Sequence, residues 1–440
     1  MLNRCVTEYR KALPSLLAAL VLAVALPASA SAASPTKPYD VALAPAQVPA
    51  GVTVDAFTVT LTNRTGTQQF GSADVTVPAA FTVVGEPTID RGSVSRSGNV
   101  LSLRNLAMPP DAAVTVTLGL RMSCVAGTYA WTVQAKQSND FNGPPGNALG
   151  PINGSLTTTV TGSCALRFVA QPADTEKNDP IRAVAFDSSS DQVVTVEAVD
   201  GSSSPSRLTW FTGPVAIALA PTTYFGRLDP AGTSATAVAG LASFANLRID
   251  ASGVYNLRAT TTAAGFAADD SAAFKIVDVV ASCDSARCSA QLAGTQSTTT
   301  LTGAAGTDSG VVVLSLNLGR EPSCAGYTPP SRDWYEFALT AARDKTIVTT
   351  YSKAAMRAFG SGPSALEICF AAPVPFAAKD GSAQPFDYDG DPANGAEGFV
   401  GLLPNCSAAS PCVTGRSGMT GGGGMITFTV PAAWGDPRYH

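Results

Sequence analysis

Five early segments alternate apolar and polar residues with a period of two: VDAFTVTLTN (54–63), ADVTVPA (73–79), AVTVTLGL (113–120), YAWTVQAK (129–136) and SLTTTVTG (155–162). That period suits a half-buried strand and no helix, and Gly, Pro, Asn and Asp punctuate the segments as turns. Heptads are absent and amphipathic helical stretches are almost so. Charged residues make up 14% of the chain, against roughly 25% in a typical globular protein. Ser, Thr, Ala and Gly fill the gap. The pattern predicts an all-β chain of sandwich modules.

A repeated corner supports this prediction. Tyr129 in AGTYAWTVQA and Tyr255 in DASGVYNLRA each follow a Gly by two residues and open an alternating strand. In immunoglobulin-like sandwiches a Tyr placed there bonds its hydroxyl back to nearby backbone. The expected modules are tandem Ig-like β-sandwiches over residues 34–164 and 165–279 and a disulfide-stapled, β-rich C-terminal domain over 280–440, after a leader over 1–32.

The leader follows from Arg4, Arg10 and Lys11, the apolar run Leu16–Leu26, and two small-x-small sites after Pro27. This is the layout of a cleaved export signal. Its removal would leave 25 basic and 32 acidic residues, a net charge of −7. Such a balance argues against nucleic acid as a partner, and no later run is apolar enough to span a bilayer as a helix. The expected location is secreted or cell-surface.

Cys5 falls in the leader, so eight cysteines remain: Cys124, Cys164, Cys283, Cys288, Cys324, Cys369, Cys406 and Cys412. An even number in an exported chain reads as disulfides. The spacings C-x4-C and C-x5-C match neither the usual zinc pairs nor a C-x-x-C redox couple. Cys283–Cys288 and Cys406–Cys412 are expected because their loops are nearly closed. Cys124 lies just before the Tyr129 corner and Cys164 just after the last strand of the first module. Pairing these leaves Cys324–Cys369.

The segments LRFVAQPADTEKNDPI, VTVEAVDGSSS, GLASFANLRIDASGVYNLRATTTAAGF and SAAFKIVD resemble bacterial Ig-like repeats of the invasin type, over residues 165–278. Gly240, Ala242, Phe244, Asn246, Leu247, Ile249, Asp250, Gly253, Tyr255 and Leu257 match the family's pattern for strands E and F. The resemblance implies a structural spacer or binding module without catalytic residues. The flanking segments AKQSNDFNGPPGN and EICFAAPVPFAAKDG, with the C-terminal tail, resemble exported actinobacterial proteins of unknown function.

The only histidine is His440. That excludes a Ser-His-Asp triad, a Cys-His pair and any site with two His ligands. Carboxylate chemistry remains, and a glycan-directed hydrolase in the C-terminal module is the alternative reading. It needs two converging acids in an aromatic-lined cleft.

Asp387, Asp389 and Asp391 stand at EF-hand positions 1, 3 and 5, but Pro392 replaces the required Gly and Gly398 the required Glu. A weak Ca2+ loop is one reading, a solvated acidic turn the other; no other cofactor is expected. SNDFNGPPGN (138–147) reads as an Asx-capped turn, and GMTGGGGM (418–425) as a hairpin tip. Trp334, Tyr335 and Phe337 in SRDWYEF are the expected contact aromatics of the third module. The predicted function is non-catalytic: a cell-envelope or extracellular binding or structural protein. Its Ig-like modules serve as scaffold, and its C-terminal module meets a protein or glycan of the envelope or matrix.

Overall fold

The computed structural model describes residues 37–144, 147–152, 156–184, 192–222, 224–283, 289–303, 310–318, 321–339, 345–387, 396–407, 411–431 and 437–439. The leader, Cys288, Asp389, Asp391 and His440 lie outside them, so the Cys283–Cys288 pair and most of the acidic turn have no structural description. The chain is all-β. Among the described residues the one α-helix is Lys353–Phe359.

The first unit is a sandwich made by folding one sheet over. Its nine strands include Thr53–Asn63, Ala113–Arg121, Ser72–Thr76 and Thr132–Lys136. The fold-over lies where Pro38–Ala44 pairs in parallel with Ala148–Pro151. Alternation then does what it predicts. Phe57, Val59 and Leu61 are fully buried, while Thr58 and Thr60 face outward opposite Thr117 and Thr115 of the next strand. Phe57 stacks on Trp131 from the opposite layer, with centroids 5.2 Å apart. The indole N–H of Trp131 donates to the buried Thr158 hydroxyl at 2.9 Å.

The second unit has the immunoglobulin-like order. Cys164–Ala170 pairs with Val194–Val199, which pairs with Leu241–Phe244. After Ala170 the chain crosses to the other layer, where Thr175–Glu176 runs parallel to Phe274–Val277. Both tyrosine corners are formed. Tyr129 donates to the Val125 carbonyl at 2.7 Å, and Tyr255 to that of Ala251 at 3.1 Å. Tyr255 also accepts from the Gly226 amide at 3.1 Å.

In the third unit a seven-stranded sheet faces a five-stranded one. Phe337, Phe370, Ile347 and Phe428 fill the space between them. The short strand Arg438–Tyr439 lies inside the larger sheet, between Tyr335–Leu339 and Cys369–Ala372. The Tyr439 ring touches Tyr335, Phe337 and Phe428 at 5.6, 5.8 and 4.9 Å between centroids. Its hydroxyl donates to the buried Thr299 at 2.7 Å.

The corner gives a direct test of the second unit. Tyr255→Phe leaves the Gly226 amide without its acceptor and should cost about 1–2 kcal/mol, read as a lower denaturant midpoint with an unchanged slope.

Candidate functional site

The cysteines, the candidate aromatics and the polar clusters converge on two kinds of feature: joints between units, and surface cavities. At the first joint, Cys124 is bonded to Cys164. Cys164 opens a strand of the second unit, so the bond clamps the joint rather than closing the first module as the sequence suggests. A bond spanning 40 residues contributes about 4 kcal/mol in the chain-entropy account.

The bond packs against Gly51, whose φ is +76°. A Cβ there would lie 2.5 Å from the Cys164 sulfur, so glycine is required twice over. Trp210 donates its indole N–H to the Gly51 carbonyl at 3.3 Å, and the Arg121 guanidinium lies 4.5 Å from the Trp210 ring centre. The amide of Gly201 donates to the Ala50 carbonyl at 2.8 Å. One apolar core runs through both units.

Asp278 alone separates Phe274–Val277 of the second unit from Val279–Cys283 of the third. Its buried carboxylate pairs with Lys177 at 2.7 Å and accepts from the Leu316 amide at 2.8 Å. Lys275 reaches across to Glu336 at 2.6 Å. Val277, Val313 and Leu318 close the joint with apolar contact.

The expected contact aromatics are not surface groups. Trp334, Tyr335 and Phe337 are 5%, 1% and 1% exposed. The strand that begins at Tyr335 has neighbours on both sides, so Tyr335 and Phe337 point into the core. Glu336, on the other face, is covered by Lys275 and by Arg438 at 2.7 Å. Arg438 also lies over Trp334, 5.8 Å from its ring centre.

Beside them Asp333 is buried and accepts from the amides of Gln296 and Ser297 at 2.8 and 3.0 Å, and from the Ser297 hydroxyl at 2.8 Å. Burial pushes its carboxyl up, but these donors and the Thr295 amide together outweigh it and hold it below the usual carboxylate range. Tyr335, whose hydroxyl meets Ser297 at 2.8 Å, is pushed up to about 12 by burial.

One accessible cleft of the third unit, about 350 Å³, lies beside the Cys324–Cys369 bond. Phe386, Val400 and Leu402 line it together with Gln384, Pro385 and Asp380. Tyr327 donates to the Glu367 carbonyl at 3.1 Å, tying down the loop that carries Cys324. Gln384–Phe386 is an edge strand of the larger sheet, and Pro385 removes a donor from it, which disfavours pairing with a further strand. Asp380 is the carboxylate among the described residues that line the cleft.

The third expected cysteine pair, Cys406–Cys412, is bonded. The glycine run after Gly418 forms the tip of the hairpin between Cys412–Gly418 and Gly424–Val430. A cavity of about 370 Å³ lies between that tip and the helix. Asp387 follows the edge strand of the third unit; with Asp389 and Asp391 undescribed, the calcium reading stays an expectation of the sequence. A further cavity, about 360 Å³, opens on the second unit. Of its lining residues only Asp250 stands out in the sequence, as part of the Ig-like pattern and not as a ligand group.

No protein-family profile matches the chain, and no curated protein matches it by sequence. Among solved structures it is similar to invasin, a bacterial integrin-binding protein, at 14% identity over 71% of this chain and 56% of that one, with a TM-score of 0.26. It is also similar to the D0–D1 domain of intimin, at 15% identity over 54% and 96% of the two chains, with a TM-score of 0.16. A non-cellulosomal cohesin from Archaeoglobus fulgidus matches at 12% identity over 28% and 91%, with a TM-score of 0.20. At these scores the likenesses add nothing to the sandwich fold read from the sheets.

Two outcomes follow from this geometry. Trp334→Ala should destabilise the third unit by about 3–5 kcal/mol, seen as an early unfolding step. Asp333 stabilises the fold above about pH 4, and that contribution is lost as pH falls through its lowered folded-state pKa. Asp333→Asn should cost about 2–3 kcal/mol at pH 7 and flatten the acid limb of a stability-against-pH curve.

Proposed function

We propose that this chain is an exported, non-catalytic binding or structural protein of the cell envelope or extracellular space. Its first two sandwiches form a stiff arm, and its third carries the contact surface. The observation that carries the reading is the pair of joints. Each is buried and hydrogen-bonded, with one clamped by Cys124–Cys164 and the other spanned by the single residue Asp278. Domains linked by free segments move relative to one another; joints of this kind oppose such motion.

Three bonded cysteine pairs fit an oxidising compartment, which agrees with the leader read at residues 1–32. The stapled cleft beside Cys324–Cys369 is the favoured contact surface of the third unit. A loop fixed covalently loses less ordering entropy on binding.

Spin labels at Ser95→Cys and Thr414→Cys, both exposed positions, test the arm. A single narrow distance distribution is expected, and one as broad as a flexible linker gives would overturn the reading. Cys124→Ala with Cys164→Ala should broaden the distribution and lower stability by about 4 kcal/mol.

A further inference from the structure

We propose that the second sandwich carries a carbohydrate-binding site for a neutral sugar. Phe225 would serve as its stacking platform, with Asn178, Arg227, Asp229, Arg248 and Asp250 as its polar wall. This site is separate from the cleft of the third unit.

The wall is built by two antiparallel segments. Leu228 bridges Ile249, the Asp229 amide donates to the Arg248 carbonyl at 2.9 Å, and the Asp250 amide to the Arg227 carbonyl at 3.3 Å. Leu228 is half-buried and Ile249 buried, while Arg227, Asp229 and Asp250 are exposed and Arg248 is half-exposed. Arg227, Leu228, Asp229, Arg248 and Asp250 line the cavity of about 360 Å³ together with Asn178, at the small end of the range of roughly 300–1,000 Å³ for small-molecule sites.

Local bonds hold the polar groups in place. Asp250 Oδ1 accepts from the Arg227 amide at 2.7 Å, and Asp229 Oδ1 from the Ala231 amide at 2.9 Å. Arg248 donates to the Asn178 carbonyl, and the Asn178 amide donates to the Ile249 carbonyl at 2.8 Å. The second oxygen of each aspartate has no partner among the described residues.

Phe225 is 97% exposed, the most exposed large apolar side chain described. Its neighbours leave it no inward path. Tyr224 packs on Tyr255 with centroids 5.8 Å apart, and the Gly226 amide is bonded to the Tyr255 hydroxyl. A Cβ on Gly226 would lie 2.2 Å from that hydroxyl, so the backbone is pressed against the corner. Phe225 does not itself line the cavity; it stands two residues before Arg227, which does, at most about 7 Å away along the chain, and both are exposed.

The charge balance selects the ligand class. Two guanidiniums oppose an anion's competitor, a bare cation, and two carboxylates oppose an anion. A neutral polyol satisfies both, because each hydroxyl donates to a carboxylate and accepts from a guanidinium or amide N–H. The C–H face of a sugar ring gives an exposed aromatic an apolar surface to cover. A wall fixed by backbone bonds is already ordered before the ligand arrives.

The test presents the intact protein to an array of neutral hexose and pentose oligosaccharides, with sulfated and uronic-acid oligosaccharides as a second arm. Calorimetry with the strongest member then gives Kd. Saturable binding to neutral sugars is expected, weakened roughly tenfold or more by Phe225→Ala and by Arg248→Gln. The melting temperature of Phe225→Ala should stay at the parent value, since that ring is almost fully exposed. Absence of saturable binding to neutral sugars, preference for the acidic arm, or parental affinity in both variants would each overturn the proposal. The spin-label distances do not depend on this site, so the two readings fail separately.

Discussion

Asp278 occupies the point where one strand ends in the second sandwich and the next begins in the third. A buried carboxylate needs a charge partner and donors, and Asp278 finds them on both sides of the joint, in Lys177 and the Leu316 amide. Satisfying it therefore fixes the two sandwiches relative to each other. Lys275 and Glu336 repeat the device nearby. The first joint uses sulfur and an indole ring for the same end, with Gly51 admitting the Cys124–Cys164 bond at close range. In a chain so poor in charge, several of the buried carboxylates stand at or beside a boundary between units.

The features legible in the sequence are those that depend on near neighbours. Period-two alternation locates the strand Thr53–Asn63 and those around it, because a pleated strand sends every second side chain to the core. The Gly-x-Tyr pattern marks both corners, because the Tyr hydroxyl reaches a carbonyl only four residues back. The glycine run reads correctly as a hairpin tip because a tight turn is a local matter.

What was not legible depends on partners distant in sequence. SRDWYEF looks like a loop end with aromatics to spare. The segment is instead the flank of a central strand, and the residue that seals it, Tyr439, comes about 100 positions later. The period-two spacing of Tyr335 and Phe337 was the available signal. Cys164 looks like the end of one module because it follows a strand, and only the pairing of Ala165 with Val199 shows that it begins the next. The wall around Asn178, Arg227 and Arg248 joins residues up to 70 apart, and no local pattern announces it.

The place of Arg438–Tyr439 inside the larger sheet of the third unit sets an order of assembly. Strands on either side of it, Tyr335–Leu339 and Cys369–Ala372, each pair with it. Until those two residues emerge, the sheet is split and leaves open edges, and the aromatic core lacks the ring that three others pack against. The first two sandwiches draw every strand from earlier chain and need not wait. A chain made from its N-terminus would thus carry two finished sandwiches while its third was still open, with closure of that sandwich timed by the arrival of a single tyrosine.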